Sequence, residues 1–469
     1  MKSRNKIAEI LIKNSIRYLS ILWCDNANII RSKALHIPSL LKEIKKNNKK
    51  SGFNEEFLKK IERRLTKNIA LQALPVLYDA PVPEARLDPV KEIALVPDWS
   101  TLVVPGYQTG HALVMGNLIS DNVPWELCPR EILRRSVKNL NKLGIEAKVG
   151  VEIEFFLFHL NDYIANIEHF PIPIDHDLYA QNSAFERGRE VIDDMTDELF
   201  AQGIEISNYN VESGPGQHEI SLQYSDPLTI ADRLVYARET IKAVAIDHGL
   251  IVSFVPKLFE DATGSGCHIH LSLWSKGKNI LGNKKESWNL SKNGQHFIAG
   301  ILGHLPGLMS MTTPTANSFR RIKPQFWSGA YRVWGIDNKE AAVRVLHNPY
   351  GDGPERFELK TADLSANPYI ALTGILASGC DGLKKKSVLS DPVQKDPANF
   401  TKSELKKLGI ELLPTSVSET IKNLDNDKVL QDAFGNEFYR VYRAVKLFEE
   451  KELKNLSLEE ERKILLTRY

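Results

Sequence analysis

Apolar and polar positions alternate in V-G-V-E-I-E-F-F-L-F (Val149 to Phe158), so Val151, Ile153 and Phe155 share one face of a predicted strand and Glu152 and Glu154 share the other. The same period of two runs through three more segments. In N-Y-N-V-E-S-G-P-G-Q-H-E-I-S-L (Asn208 to Leu222) a tight Gly-Pro-Gly turn predicts a hairpin, with Glu212 before the turn and Glu219 after it. In G-S-G-C-H-I-H-L-S-L (Gly264 to Leu273) His268, His270 and Ser272 face away from Cys267, Ile269 and Leu271. In E-R-F-E-L-K, Arg356, Glu358 and Lys360 oppose Phe357 and Leu359.

Helical periodicity fills the intervals. A helix is predicted after Pro124, in C-P-R-E-I-L-R-R-S-V-K-N-L-N-K-L-G, where proline opens and Gly144 closes it. Another is predicted from about Arg187 to Gln202, burying Val191, Ile192, Met195 and Leu199, and a long capped one from Ser225 to Gly249. Near the N-terminus, Ile16 to Asp25 is strand-like, and H-I-P-S-L-L opens a helix with Ser39 as its cap. The lysine cluster Lys45 to Lys50 lacks glycine nests and interleaved aromatics and reads as a solvated loop. Roughly the last eighty residues read as amphipathic helices on the periphery, without assignable chemistry.

At 469 residues the chain is long for one core, which predicts two domains: a smaller one over 15–110 and a larger one over 120–469. A net charge of +2 gives no case for nucleic acid or membrane as partner. Cys24, Cys128, Cys267 and Cys380 are widely spaced without a CxxC pair, as expected of reduced thiols. Charges scattered through the first turns of the chain leave no apolar leader, and no apolar run is long enough to span a bilayer. The expectation is a soluble, cytoplasmic protein.

Two carboxylates on one strand face are commonly a solvated face. Five carboxylates and two imidazoles on strands with apolar backs are a different matter, because their mutual repulsion needs an offset. Divalent cations supply one. Oxygen-rich ligand sets suit Mg²⁺ or Mn²⁺, a single imidazole favours Mn²⁺, and zinc would prefer more nitrogen or sulfur.

In order and spacing these segments resemble the active-site strands of the glutamine synthetase family. The resemblance extends to N-S-F-R-R-I-K-P (Asn317 to Pro324), W-G-I-D-N-K-E-A-A-V-R (Trp334 to Arg344) and A-N-P-Y (Ala366 to Tyr369). It implies an α+β fold: a small β-grasp-like N-terminal domain and a large catalytic domain whose curved antiparallel sheet is backed by helices. It also implies stacked-ring homo-oligomers whose sites are completed by a neighbouring subunit, and a place in nitrogen metabolism. By the resemblance, Glu154, Glu212 and Glu219 hold one metal ion, and Glu152, His268 and Glu358 a second. The reaction implied is ATP-dependent ligation of L-glutamate to ammonia or a primary amine. Arg321 would grip the α-carboxylate, Arg344 and Arg356 the phosphates, because a planar guanidinium matches both anions. His270 and Ser272 share the His268 face, and Gly264, in G-S-G, lets backbone approach the substrate. Asp79, in Y-D-A-P-V-P, falls near an aspartate that reaches into the neighbouring site, although the local motif differs. The neighbouring Arg320 reads as a surface ion pair.

Departures from the family pattern bear on the acceptor. Where ammonia-using members carry a flap glutamate, the chain reads P-Q-F-W-S-G, and Trp327 cannot accept a proton. Lys339 and Lys360 stand where arginines are usual, and Thr263 where an asparagine is usual. Phe400 occupies the place of the modifiable tyrosine, against adenylylation there. An indole beside the acceptor offers apolar and cation–π surface to an alkylammonium, as in γ-glutamylamine ligases. An ordinary glutamine synthetase, a non-catalytic structural relative and a guanidino kinase remain as alternatives.

Overall fold

The computed structural model describes residues 4–47, 54–165, 170–348, 350 and 353–469. Its strands are β1 (Tyr18–Cys24), β2 (Ile30–His36), β3 (Thr66–Asn68), β4 (Glu92–Pro97), β5 (His111–Ser120), β6 (Val123–Pro124), β7 (Glu146–His159), β8 (Ile206–Val211), β9 (Gln217–Ser225), β10 (Leu250–Ser253), β11 (Ile269–Ser275), β12 (Lys278–Asn279), β13 (Tyr331–Ile336), β14 (Ala341–Val345) and β15 (Phe357–Leu359).

The first six strands form a small sheet in the order β2-β1-β5-β4-β3, with β6 beside β5 and the β1–β5 pair parallel. The other nine form a large sheet in the order β13-β14-β15-β11-β7-β9-β8, antiparallel except for β13–β14. The fold is therefore α+β, with one parallel pair at the edge of the large sheet. β7 is the axis of that sheet, flanked by β11 and β9.

Register sets what each strand brings to its neighbour. Glu154 of β7 stands opposite Glu219 of β9, and His270 of β11 opposite both Gly150 of β7 and Glu358 of β15. Arg344 of β14 is paired with the same Glu358. The apolar residues between them, Val151, Ile153, Ile269, Phe357 and Leu359, are buried on the other face. Helices Pro129–Asn141, Pro227–Asp247, Lys292–Thr312 and Pro368–Lys385 contribute to that core. Their ends follow local rules: Asp226 accepts from Thr229 N and Asn367 from Tyr369 N and Ile370 N, each followed by proline in the first turn.

β1 is buried on both faces of the small sheet along most of its length, so it needs a nearly continuous apolar run. Leu19, Ile21 and Trp23 pack with residues of the helices Arg4–Lys13, Ile37–Asn47 and Glu55–Glu62, whereas Leu22 and Cys24 join the core of the large sheet. Buried hydrogen bonds seal the junction: Asn28 Nδ2 donates to Leu364 O at 2.9 Å, Asn367 Nδ2 to Asp25 O at 3.0 Å, and the Tyr469 hydroxyl to Ala27 O at 3.1 Å. Beside it, buried Arg130 pairs with Asp232 at 2.7 Å and with Asp98 at 3.2 Å, and the Tyr369 hydroxyl donates to Asp232 at 2.6 Å.

Several local expectations change. The helix after β2 begins at Ile37, so Ser39 lies inside it and meets His36 Nδ1 at 2.7 Å; Pro38 in the first turn sacrifices no intrahelical donor. Of the lysine cluster, Lys45–Asn47 belong to this helix, and 48–50 lie outside the described residues. The helix expected from Arg187 spans Asn182–Ala201, and Gly188 within it admits the His218 ring. The C-terminal helices are not merely peripheral, since Val441, Val445, Leu465 and Tyr469 enter the main core. All four cysteines are buried and free. Among the described residues no helix is long and apolar enough to cross a membrane.

Candidate active site

The carboxylates singled out by strand alternation converge on one face of the large sheet. Glu152 lies at the centre, its Oε2 2.8 Å from His268 Nδ1 and its Oε1 2.8 Å from His270 Nε2. Glu152, His268 and Glu358 can each bring one ligand atom within 4.8 Å of the others, a geometry that could hold a metal ion. Glu358 is fully buried, with Arg344 Nε 2.8 Å from its Oε1 and Lys360 Nζ 3.6 Å from the same atom. The Arg344 Nε contact is an ion pair without hydrogen-bond alignment, and the Arg344 NH2 group donates to Glu358 Oε2 at 3.1 Å.

Glu154, Glu212 and Glu219 form a second acidic group. Gly266 N donates to Glu154 Oε2 at 2.8 Å, and Asn210 Nδ2 to Glu219 Oε1 at 3.1 Å. Burial, then the charges of Glu154 and Glu152, push the Glu212 carboxyl up to about 8. Burial, then Glu152, Glu154 and Glu212, push that of Glu219 up to about 9. Burial also opposes ionisation of Glu152 and Glu358. At Glu152, hydrogen bonds to His268 and His270 win and hold its carboxyl below the ordinary range. At Glu358 the charge of Lys360, then of the two histidines and Arg344, lowers the carboxyl to about 2. The donor set is thus oxygen-rich and, around Glu212 and Glu219, short of positive charge, which fits hard divalent cations.

Two cavities meet at Glu152. One, of ≈ 170 Å³, is lined by Glu212, Glu219, Arg321, Trp327, Lys339 and Arg344; the other, of ≈ 500 Å³, by His270, Ser272, Arg356, Lys148 and Tyr224. Arg321 is buried, its NH2 group 3.3 Å from His268 Nε2 and donating to Lys360 O at 3.2 Å, while NH1 has no hydrogen-bond partner among the described residues. That free donor suits an anion entering the smaller cavity. Lys360 Nζ sits 3.4 Å from His268 Nε2.

The glycines are needed for close approach. A Cβ on Gly264 would strike Pro256 O and come 2.9 Å from Arg321 Cγ; one on Gly266 would come 2.9 Å from His268 Nε2. Thr263 donates to Gln217 Oε1 at 2.9 Å, and Gln217 Nε2 reaches Gly264 O at 3.2 Å and Glu154 at 3.4 Å.

Two positions, Arg320 and Trp327, differ from their reading in the sequence. Asp79, expected to serve a neighbouring subunit, lies outside both cavities of its own chain, and its exposed carboxylate pairs with Arg31 at 3.1 Å. Arg320 is not a surface pair, because its partner Glu461, 2.9 Å away, is buried. Glu461 also accepts from Asn317 Nδ2 at 2.8 Å, so the C-terminal helix Leu458–Leu465 braces the short helix Ser318–Arg321 that carries Arg321. One face of the Trp327 indole, expected to receive an alkylammonium, has Lys339 Nζ 4.9 Å from the ring centroid. Gln217, Asn210, Tyr179, Gly266 and Glu340 were missed. Gln217 and Asn210 alternate with Glu219 and Glu212 and were available from strand period; Tyr179 had no local signal.

A sheet face that gathers carboxylates, imidazoles and guanidinium groups around two cavities has the chemistry to hold divalent cations and to bind anions. The catalytic-domain model of glutamine synthetase matches residues 126–464. The chain is 32% identical over 457 residues to type-1 glutamine synthetase 1 of Dictyostelium discoideum, covering 94% of this chain and 87% of that protein. It is 34% identical to glutamine synthetase of Thermus thermophilus over 76% of this chain and 81% of that protein. It is also 32% identical to gamma-glutamylpolyamine synthetase GlnA3 of Streptomyces coelicolor, over 77% and 78%. A crystal structure described as a novel glutamine synthase homolog superposes with a TM-score of 0.81 at 25% identity, covering 97% of this chain and 99% of that one. The chain belongs to the glutamine synthetase family and is an ATP-dependent ligase of that type.

Proposed function

We propose that the protein joins L-glutamate to an amine or ammonia through a γ-glutamyl phosphate. The observation that carries this reading is the convergence of Glu152, Glu154, Glu212, Glu219, His268 and Glu358 beside the free NH1 of Arg321. Glu154, Glu212 and Glu219 would hold one Mg²⁺ or Mn²⁺, and Glu152, His268 and Glu358 the other. Bound there, the cations would offset carboxylate repulsion and the charge that gathers when ATP and glutamate meet.

The residues of the chain divide the remaining work. Arg321 holds the α-carboxylate of glutamate, with Gly264 giving its backbone room to approach. Arg344 and Arg356 orient phosphate oxygens, Arg356 from the larger cavity with His270 and Ser272; Lys339 and Lys360 add charge without a fork. A γ-carboxylate oxygen attacks the γ-phosphorus and ADP leaves. The acceptor nitrogen then attacks the acyl carbon, phosphate leaves, and the cavity carboxylates are the available proton acceptors. By the same reading the chain assembles as a large homo-oligomer, in which Asp79 serves a neighbour.

Trp327 at the cavity favours an organic amine, and one relative is named for polyamine ligation. Lys339 over the indole favours the other reading, ammonia, because the chain itself fills one cation–π face. The test is phosphate release from ATP and glutamate with Mg²⁺ or Mn²⁺ against ammonia and a panel of mono- and polyamines. Ammonia as the sole good acceptor selects the second reading; no release with any acceptor overturns both.

A further inference from the structure

Trp327 is held from two sides by consecutive residues. Lys339 Nζ lies over its ring, and Glu340 Oε1 accepts its backbone N–H at 3.0 Å. We propose that Glu340 is a positioning residue for the acceptor end of the site, acting through Trp327; this rests on the amide-forming reading above.

The loop between the helix Ser318–Arg321 and β13 cannot hold its shape by local preference. Gln325 and Trp327 have left-handed φ values of 66° and 53°, followed by Gly329 at 75°. Left-handed backbone is unfavourable for side chains with a Cβ, and worse for bulky ones, so an outside contact has to select it. Ser328 closes the neck of the loop, accepting from Lys323 N at 3.1 Å and donating to Lys323 O at 2.9 Å. Its tip is held by Glu340.

Glu340 is an unusual choice for that place. It is buried immediately before β14, and its own N–H is held by Asn338 Oδ1 at 3.0 Å. A buried carboxylate is costly without donors, and the N–H groups of the tip supply them. Its second oxygen is buried without a hydrogen-bond partner among the described residues. No packing need explains a glutamate there. A leucine would fill the space without the desolvation cost, but it could not accept from Trp327 N.

The consequence reaches the substrate because Trp327 is half exposed and lines the same cavity as Glu212 and Tyr179. With Glu340 in place the indole is fixed under Lys339; with it gone, the tip relaxes toward ordinary backbone and the ring leaves that position.

The test compares Glu340→Ala and Glu340→Gln in the full chain. The glutamine keeps one carbonyl acceptor for Trp327 N, whereas the alanine keeps none. Glu340→Ala is expected to raise the KM for the best acceptor roughly tenfold while the KM for ATP stays within about twofold, and Glu340→Gln to restore most of the difference. A second readout needs no turnover. The fluorescence of Trp327, obtained by subtracting the matching Trp327→Phe protein, is expected to shift to the red in Glu340→Ala as the ring enters water. An equal rise in every KM, failure of glutamine to rescue, or an unchanged Trp327 spectrum would each overturn the proposal. If the unsubstituted chain shows no ligase turnover, the amide-forming reading fails and the fluorescence still decides the positioning role.

Discussion

Glu154 and Glu219 occupy one rung of the β7–β9 ladder, two carboxylates directly opposite each other across an antiparallel pair. Like charges so placed destabilise a sheet, and their neighbours Glu152 and Glu212 deepen the repulsion. Adding Mg²⁺ or Mn²⁺ to the chelator-treated protein is therefore expected to raise its melting temperature by roughly 2 °C or more. In Glu219→Gln the metal-free protein should melt higher and the cation-induced rise should shrink. Thermal melts with and without cation measure both, and a full rise in the variant would separate Glu219 from cation binding.

Gly264 and Gly266 lie two residues apart and should respond differently to alanine. At Gly264 the new methyl meets the carbonyl of Pro256, which is backbone and cannot step aside, so Gly264→Ala should destabilise the fold. At Gly266 it meets the flexible end of Arg321 and the His268 ring. Gly266→Ala should leave unfolding within about 1 kcal/mol of the parent and lower turnover by about tenfold or more. Urea unfolding and a phosphate-release assay, run on both, would expose the reverse pattern.

The Arg130–Asp232 pair is buried and hydrogen-bonded from both sides, with Tyr369 donating to the same carboxylate. Removing one partner leaves a charge in the core. Asp232→Ala is expected to cost about 3–5 kcal/mol in equilibrium unfolding, far more than removal of an exposed pair such as Lys428–Asp432.

His304 links three helices through Asp427 at 2.6 Å and Asp381 at 3.1 Å. Burial opposes its protonation, but the hydrogen bond and charge of Asp427, then those of Asp381, outweigh it and raise its pKa above 6.5. A histidine with a raised folded pKa contributes stability that is full below its unfolded value and is lost as pH rises through the folded one. The gap in melting temperature between the parent and His304→Gln should accordingly be widest below about pH 6.5 and close toward alkaline pH. A gap independent of pH would mean that packing, not the charge, is what His304 supplies.

Much of the site could be read from the chain because strand alternation is a local property. Glu152 with Glu154, His268 with His270, and Glu358 with Lys360 each share a face whatever the rest of the protein does. Helix ends were legible for the same reason around Ser225 and at Gly144, less so at Ser39, where Pro38 allowed an earlier start. The roles of Glu340 and Glu461 were not legible. Both bond to partners far away in sequence or to loop backbone, and neither sits in a repeating pattern.

By itself, then, the sequence determined the composition of each strand face, the family resemblance and the oxygen-rich character of the ligand set. Tertiary structure decided which faces adjoin: Glu154 beside Glu219, Glu358 beside His270, and Arg321 within reach of His268 although 53 residues separate them. It also decided that Lys339 covers Trp327, which no spacing rule foretells. The physical reason is that a strand's alternation follows from its own backbone geometry, whereas register and loop conformation follow from hydrogen bonds and burial shared between distant segments.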